Sequence, residues 1–331
     1  MSRLVVPVGL IGLLLATGLI VYFGLPAVFA AIVSSGWAFL AVTTYHGVSL
    51  LCAALGWQAL LARRHPLPWS LYLVARTARE AVNNLLPVAQ IGGEVVGARL
   101  LILKGLSGQT AAASVIVDLT VETLAQVLFT LIGLGLLVLF GIGGGMIAQL
   151  VIGVAAAALL LGGFVVAQRY GLFRVVERML ARLATEGRWM SLGGLSGLHE
   201  AMMTIYRDWR GTLAGGAWHL AGWVLGAGEI WIALHMMGIP IGVGEAIALE
   251  SVVHAVRSAA FFVPMALGVQ EGGFLLAGSL FGIGPEAALA VSLIKRVRDL
   301  LLGAPVLLVW QAAEGRRAIA RLWRNEKADE V

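Results

Sequence analysis

Several stretches of this chain run to about 20 or more predominantly apolar residues, the length an α-helix needs to cross a hydrocarbon core. Residues 4–23, 37–61, 109–140 and 146–168 are the clearest. No other feature limits the fold as strongly. In lipid, every backbone N–H and C=O must find its partner within the protein, which leaves only helices or a closed barrel. A barrel would show period-2 alternation, and these runs do not. Composition agrees: 60% of the residues are hydrophobic and 12% charged, against about 25% charged in an ordinary soluble domain. The expected fold is an all-α, polytopic integral membrane protein.

The charges orient the spans. The net charge of +5 comes from basic residues grouped between apolar runs. This pattern marks a cytoplasmic face and gives no reason to expect a nucleic-acid partner. Cys52 is the single cysteine, so no intrachain disulfide framework exists. The first run follows Arg3 and exceeds the usual 7–15-residue core of a cleaved signal, so an uncleaved first span is expected. Arg63 and Arg64 then belong inside, as do Arg316, Arg317, Arg321 and Arg324 in a basic tail at 313–331. Residues 169–210 hold seven Arg against four acids, with Arg174, Arg178 and Arg182 at four-residue steps. That segment reads as a cytoplasmic amphipathic loop. The layout is about six full spans plus two broken hairpins, with both termini cytoplasmic.

The hairpins carry the unusual chemistry. Residues 66–104 contain "NNLLPVAQIGGEV", and residues 244–283 contain "FFVPMALGVQEGGF". Pro87 precedes Glu94 by seven residues, as Pro264 precedes Glu271. A constant offset of 177 also pairs Ala89 with Ala266, Gly105 with Gly282 and Ala111 with Ala288. A first repeat at 66–140 and a second at 244–312 follow. Lys104 marks one elbow as cytoplasmic, whereas "FGIGPE" after the other has no basic residue. The repeats are therefore expected to be inverted, with re-entrant broken helices meeting near the midplane, a transporter architecture.

Charged residues within a membrane cost roughly 2.5–3.5 kcal/mol each on insertion scales, so they should be buried and paired. Arg76, Glu80, Asn83 and Pro87 share one helix face, and Glu250, His254 and Arg257 form a second stripe. All of these but Arg76, with Asn84, Arg79, Glu94, Arg99, Pro264, Gln270 and Glu271, make the candidate lipid-binding set. Arg79, Arg99 and Arg257 are the candidates for holding a lipid phosphate, because guanidinium matches phosphate oxygens bidentately. Asp118 and Glu122 lie opposite Lys295, Arg298 and Asp299 in the aligned long helices, and a structural clamp from either acid to Lys295 or Arg298 is expected. His219 and Glu229 flank Gly222 and Gly226, which reads as a helix-packing groove. The other histidines show no metal-ligand spacing. No P-loop, HExxH or G-x-S-x-G occurs, so no metal, cofactor or catalytic residue is assigned.

At the two elbows the chain resembles the lysylphosphatidylglycerol synthase transmembrane-region family, also called flippase-like. Within it, "REAVNNLLPVAQIGGEVVGARLL" is most similar to hopanoid-biosynthesis-associated bacterial membrane proteins. The resemblance implies an inner-membrane protein that moves a polar-headed lipid, anionic or hopanoid-type, between leaflets. About twenty residues follow the last span, too few for the soluble domain of an aminoacyl-lipid synthase, so synthase activity is not expected. A membrane-embedded glycosyl or acyl transferase, or a scaffold for lipid-biosynthesis enzymes, are the alternatives.

Overall fold

The computed structural model describes residues 36–86, 92–142, 197–260 and 268–329, with Val33, Val263, Ala266 and scattered positions between Ile152 and Tyr170. Most of these residues are helical, and no strand occurs among them. In chain order the helices are α1 (Ala38–Leu61), α2 (Trp69–Leu85), α3 (Gly92–Ile102), α4 (Gly108–Leu139) and α5 (Leu198–Arg207). They continue as α6 (Trp209–Gly226), α7 (Gly228–Met236), α8 (Val243–Ala259), α9 (Val269–Leu280) and α10 (Pro285–Asp329). Among the described residues, α1 and α4 are long and apolar enough to cross a membrane.

Local chemistry sets the boundaries. Ser107 caps α4 by accepting a hydrogen bond from the Thr110 N–H at 3.2 Å, and Gly141 past its end has φ +68°. Asp208 caps α6 through the Gly211 N–H. Glu271 reaches back to the Gly268 N–H at 2.9 Å, so this elbow glutamate fastens the start of α9. The expected span at 211–237 is interrupted at Ala227, which separates α6 from α7. Two further segments carry helix that the sequence reading did not specify. The 169–210 loop ends in a packed helix, α5, with Leu198, Met202 and Ile205 buried. The supposed tail continues α10 to Asp329. The first span, Arg174, Arg178, Arg182, Pro87 and Pro264 lie outside the described residues.

The offset of 177 carries the start of α3 onto that of α9 and the start of α4 onto that of α10. The packing follows the same exchange. Helix α2 packs on α3 and α10, and α8 packs on α9 and α4; likewise α1 packs on α10, and α6 on α4. Helix α1, which the offset carries onto the second part of α6 and α7, meets α6 face to face and runs antiparallel to it. Along them, the Cβ direction of Gly211 meets Ala59, Gly215 meets Leu60 and Gly56, Gly222 meets Cys52, and Gly226 meets Ser49. Glycine at these positions lets the two backbones approach closely.

A small apolar cluster joins α2 and α3 to α10, and two large ones hold the rest of the described core. One large cluster joins the start of α1 and the end of α4 to α7, α8, α9 and the first turns of α10. The other joins the end of α1 and the start of α4 to α2 and α5. Ionisable side chains gather between them, at the middle of α1 and α4.

Candidate functional site

Helix α2 presents the first charged group. Arg79 is 2% exposed; its Nη1 donates to Asp118 Oδ2 at 2.5 Å, and its Nη2 lies 2.8 Å from Glu94 Oε2. Its guanidinium also lies over the Trp57 ring at 5.0 Å. Asp118 is fully buried and is contacted by His219 Nε2 at 2.9 Å. One turn earlier on α2, Arg76 grips both oxygens of Glu122. The glycines of α3 make room for this. A Cβ on Gly97 would sit 2.7 Å from Arg79 Cδ, and one on Gly93 only 2.3 Å from the Arg79 carbonyl. The Gly93 N–H donates to Asn83 Oδ1 at 2.9 Å, closing the elbow on itself.

The second charged group belongs to α7, α8 and α10. Glu250 holds Lys295 and lies 3.0 Å from His254 Nε2, whose ring stacks edge-on against Trp223 at 4.5 Å. Glu229 holds Arg298 and lies 3.5 Å from Lys295. Arg298 also donates to Asp299 at 2.7 and 3.0 Å.

His46, from the middle of α1, connects the two groups. Its Nε2 is 3.1 Å from Glu80, and its Nδ1 is 2.7 Å from Glu229 and 3.1 Å from Arg298 Nη1. Nδ1 can donate to Glu229 or accept from Arg298, but not both at once. This side chain therefore sits where the hydrogen bonding of one half meets that of the other.

A cavity of about 280 Å³ opens between the groups. Of the residues singled out from sequence, Arg79, Glu80, Asn83, Asn84, Glu94, Glu250, His254 and Arg257 line it, with Glu122, Lys295 and Arg298. Asp299 faces a smaller space beside it. Three candidates do not reach the cavity. Arg99 is outside its lining, Gln270 bonds Ser292 at 3.0 Å, and Glu271 takes Arg296 Nε at 2.6 Å. The expected clamp from Asp118 or Glu122 to Lys295 or Arg298 is not formed: α2 supplies both arginines for the acids of α4, while α7 and α8 supply the acids for α10. Each long helix thus finds its counter-charges on other elements. Arg79 is likewise not free for phosphate, since two acids already occupy it.

Sequence reasoning missed His46, His219 and Glu229 as members of the site. The available clue was a lone ionisable residue amid an apolar run, which is costly enough to demand a partner. The glycines beside His219 and Glu229 do form the packing groove against α1; these two side chains additionally close the ion pairs at its edge.

A comparison with protein families matches residues 9–306 to the family described as "Lysylphosphatidylglycerol synthase TM region". The chain belongs to the lysylphosphatidylglycerol synthase transmembrane-region family. Membership makes it a membrane protein of lipid-related processes. No curated protein and no solved structure matches it. In this family member, charged residues from α2, α3, α4, α7, α8 and α10 surround the cavity of about 280 Å³.

Proposed function

We propose that the protein moves a polar-headed lipid between membrane leaflets, with the headgroup passing through the cavity between the two charged groups. The observation that carries this reading is the cavity itself. It lies between two apolar cores, halfway along α1 and α4, and is lined by acids and bases from both halves of the chain. A scaffold would not need a charged space at that depth, where each charge must be offset. The two repeats, whose helices exchange packing partners, would supply two equivalent sides for such a path, as in inverted-repeat transporters.

On this reading the protein is not an enzyme. It spans a bacterial inner membrane several times with cytoplasmic termini, and it uses membrane lipids, anionic or hopanoid-type, as cargo without a cofactor. Lipid-biosynthesis enzymes are its natural suppliers, and the hopanoid-associated branch is the subgroup its first elbow resembles. The test is translocation of a fluorescent phospholipid in proteoliposomes, normalised to folded protein. Glu94→Gln, in the cavity wall, should reduce movement per molecule. Glu271→Gln, which loosens a helix cap and an ion pair away from the cavity, should lower yield and leave movement per molecule near normal. The reverse pattern would refute the assignment.

A further inference from the structure

Every carboxylate lining the cavity already has a basic group within 4 Å: Glu80 has His46, Glu94 has Arg79, Glu122 has Arg76, Glu229 has Arg298, and Glu250 has Lys295. The bases are matched in the same way, with one exception. Among the described residues lining the cavity, Arg257 is the cation without a hydrogen bond or ion pair. It stands one turn beyond His254 on α8 and is half-buried. Asp299 exerts the strongest electrostatic attraction on it, yet that carboxylate is already bonded by Arg298 at 2.7 and 3.0 Å. The carbonyl end of α8 offers some compensation, typically 0.3–1 kcal/mol. This does not replace a counter-ion for a guanidinium removed from bulk water.

We infer that Arg257 is the docking point for an anionic phosphate group, supplied by a lipid headgroup or by free phosphate. A guanidinium presents paired N–H donors that match two phosphate oxygens. The inference deepens the reading of the cavity as a headgroup path and rests on it. It also predicts selectivity. A net-anionic head such as phosphatidylglycerol brings one charge for the one unpaired cation. A lysyl head, such as the one in the family's name, brings ammonium groups to a cavity whose carboxylates are all taken.

The test uses the full-length protein purified in a neutral detergent. Thermal midpoints are followed during titration with phosphatidylglycerol, phosphatidylcholine of the same chains, lysylphosphatidylglycerol and inorganic phosphate. Phosphatidylglycerol should raise the midpoint at lower concentration than the other two lipids. Protection by inorganic phosphate at similar concentration would name free phosphate as the source; its absence would name the lipid. Arg257→Gln should weaken phosphatidylglycerol binding by roughly tenfold to a hundredfold, corresponding to about 1.5–3 kcal/mol for a charged hydrogen bond. Without ligand, the same variant should melt no lower than the native protein, because the charge it loses makes no hydrogen bond or ion pair within the protein. Lys104→Gln, in an exposed turn, should bind as the native protein does.

Native-like binding in Arg257→Gln would overturn the inference, as would its failure to fold or a lowered midpoint without lipid. The cavity-filling variant Asn84→Trp separates the two levels of the argument. If it abolishes lipid binding while Arg257→Gln changes nothing, the headgroup path stands and the phosphate site falls. If neither variant changes lipid binding, both fall.

Discussion

Replacing Arg79 with Gln removes the guanidinium that serves Asp118 at 2.5 Å and Glu94 at 2.8 Å. The Arg79 and Asp118 side chains are 3% and 0% exposed, so neither is rescued by bulk water. Removing one partner of a buried ion pair typically costs about 3–5 kcal/mol, because the remaining charge stays uncompensated. Asp118 keeps His219 at 2.9 Å and has Arg76 at 4.0 Å, which places the expected loss near the lower end of that range. Asp118→Asn in the Arg79→Gln background removes the stranded charge and should recover a substantial part of the loss. The assay is the thermal or denaturant midpoint of detergent-purified protein, monitored by tryptophan fluorescence, for both single variants and the double. A parallel cycle pairs Asp118→Asn with Lys295→Met. Coupling in the first cycle and additivity in the second follow from the observed pairing, since Lys295 serves Glu250 and Glu229 instead. Coupling between Asp118 and Lys295, with additivity between Asp118 and Arg79, would refute the reasoning.

Two further outcomes follow from the packing and the caps. Gly222→Cys should form a disulfide with the native Cys52 under mild oxidation, because a Cβ at Gly222 would lie 3.2 Å from Cys52 Cβ, near the roughly 3.5–4.5 Å of a disulfide; electrophoretic mobility shows it, and Gly215→Cys should give none. Asp208→Ala should cost about 1 kcal/mol through loss of the α6 cap. Burial pushes the Asp208 carboxyl upward, but the Gly211 N–H and Arg63 outweigh this and hold it below its usual value. Its contribution should therefore be complete above the ordinary carboxylate range and disappear as pH falls through the lowered value, which midpoints of native and Asp208→Ala protein across acid pH can check.

The sequence made the backbone plan legible where residue type forces conformation. Ser107 announces α4, and the Pro-Gly elbows mark where α2 stops before α3 and α8 before α9. The offset between elbows also matches the starts of α9 and α10, because turns and caps are local features. Charge pairing was less legible. Helical spacing shows that Asp118 and Glu122 share a face, but which bases turn toward it depends on how α2 and α10 are laid against α4. For the same reason Glu271 looked equivalent to Glu94. Their positions in the elbows match, yet Glu94 finds Arg79 across the elbow, while Glu271 closes on its own helix start and on Arg296. His46 was invisible as a site residue because its partners lie on α2, α7 and α10, far away in sequence.

On the proposed function, an unaltered lipid passes through the cavity between the charged groups. The most direct measurement is leaflet-to-leaflet movement of fluorescent phosphatidylglycerol in proteoliposomes of native and Asn84→Trp protein, with the lipid's mass determined before and after. Asn84 lines the cavity and is half-buried there, so an indole at this position should occupy the path. The native protein should move the lipid with its mass unchanged, and folded Asn84→Trp should not. A native protein that leaves the lipid in place or changes its mass would contradict it, and so would a filled cavity that transports as well as an open one.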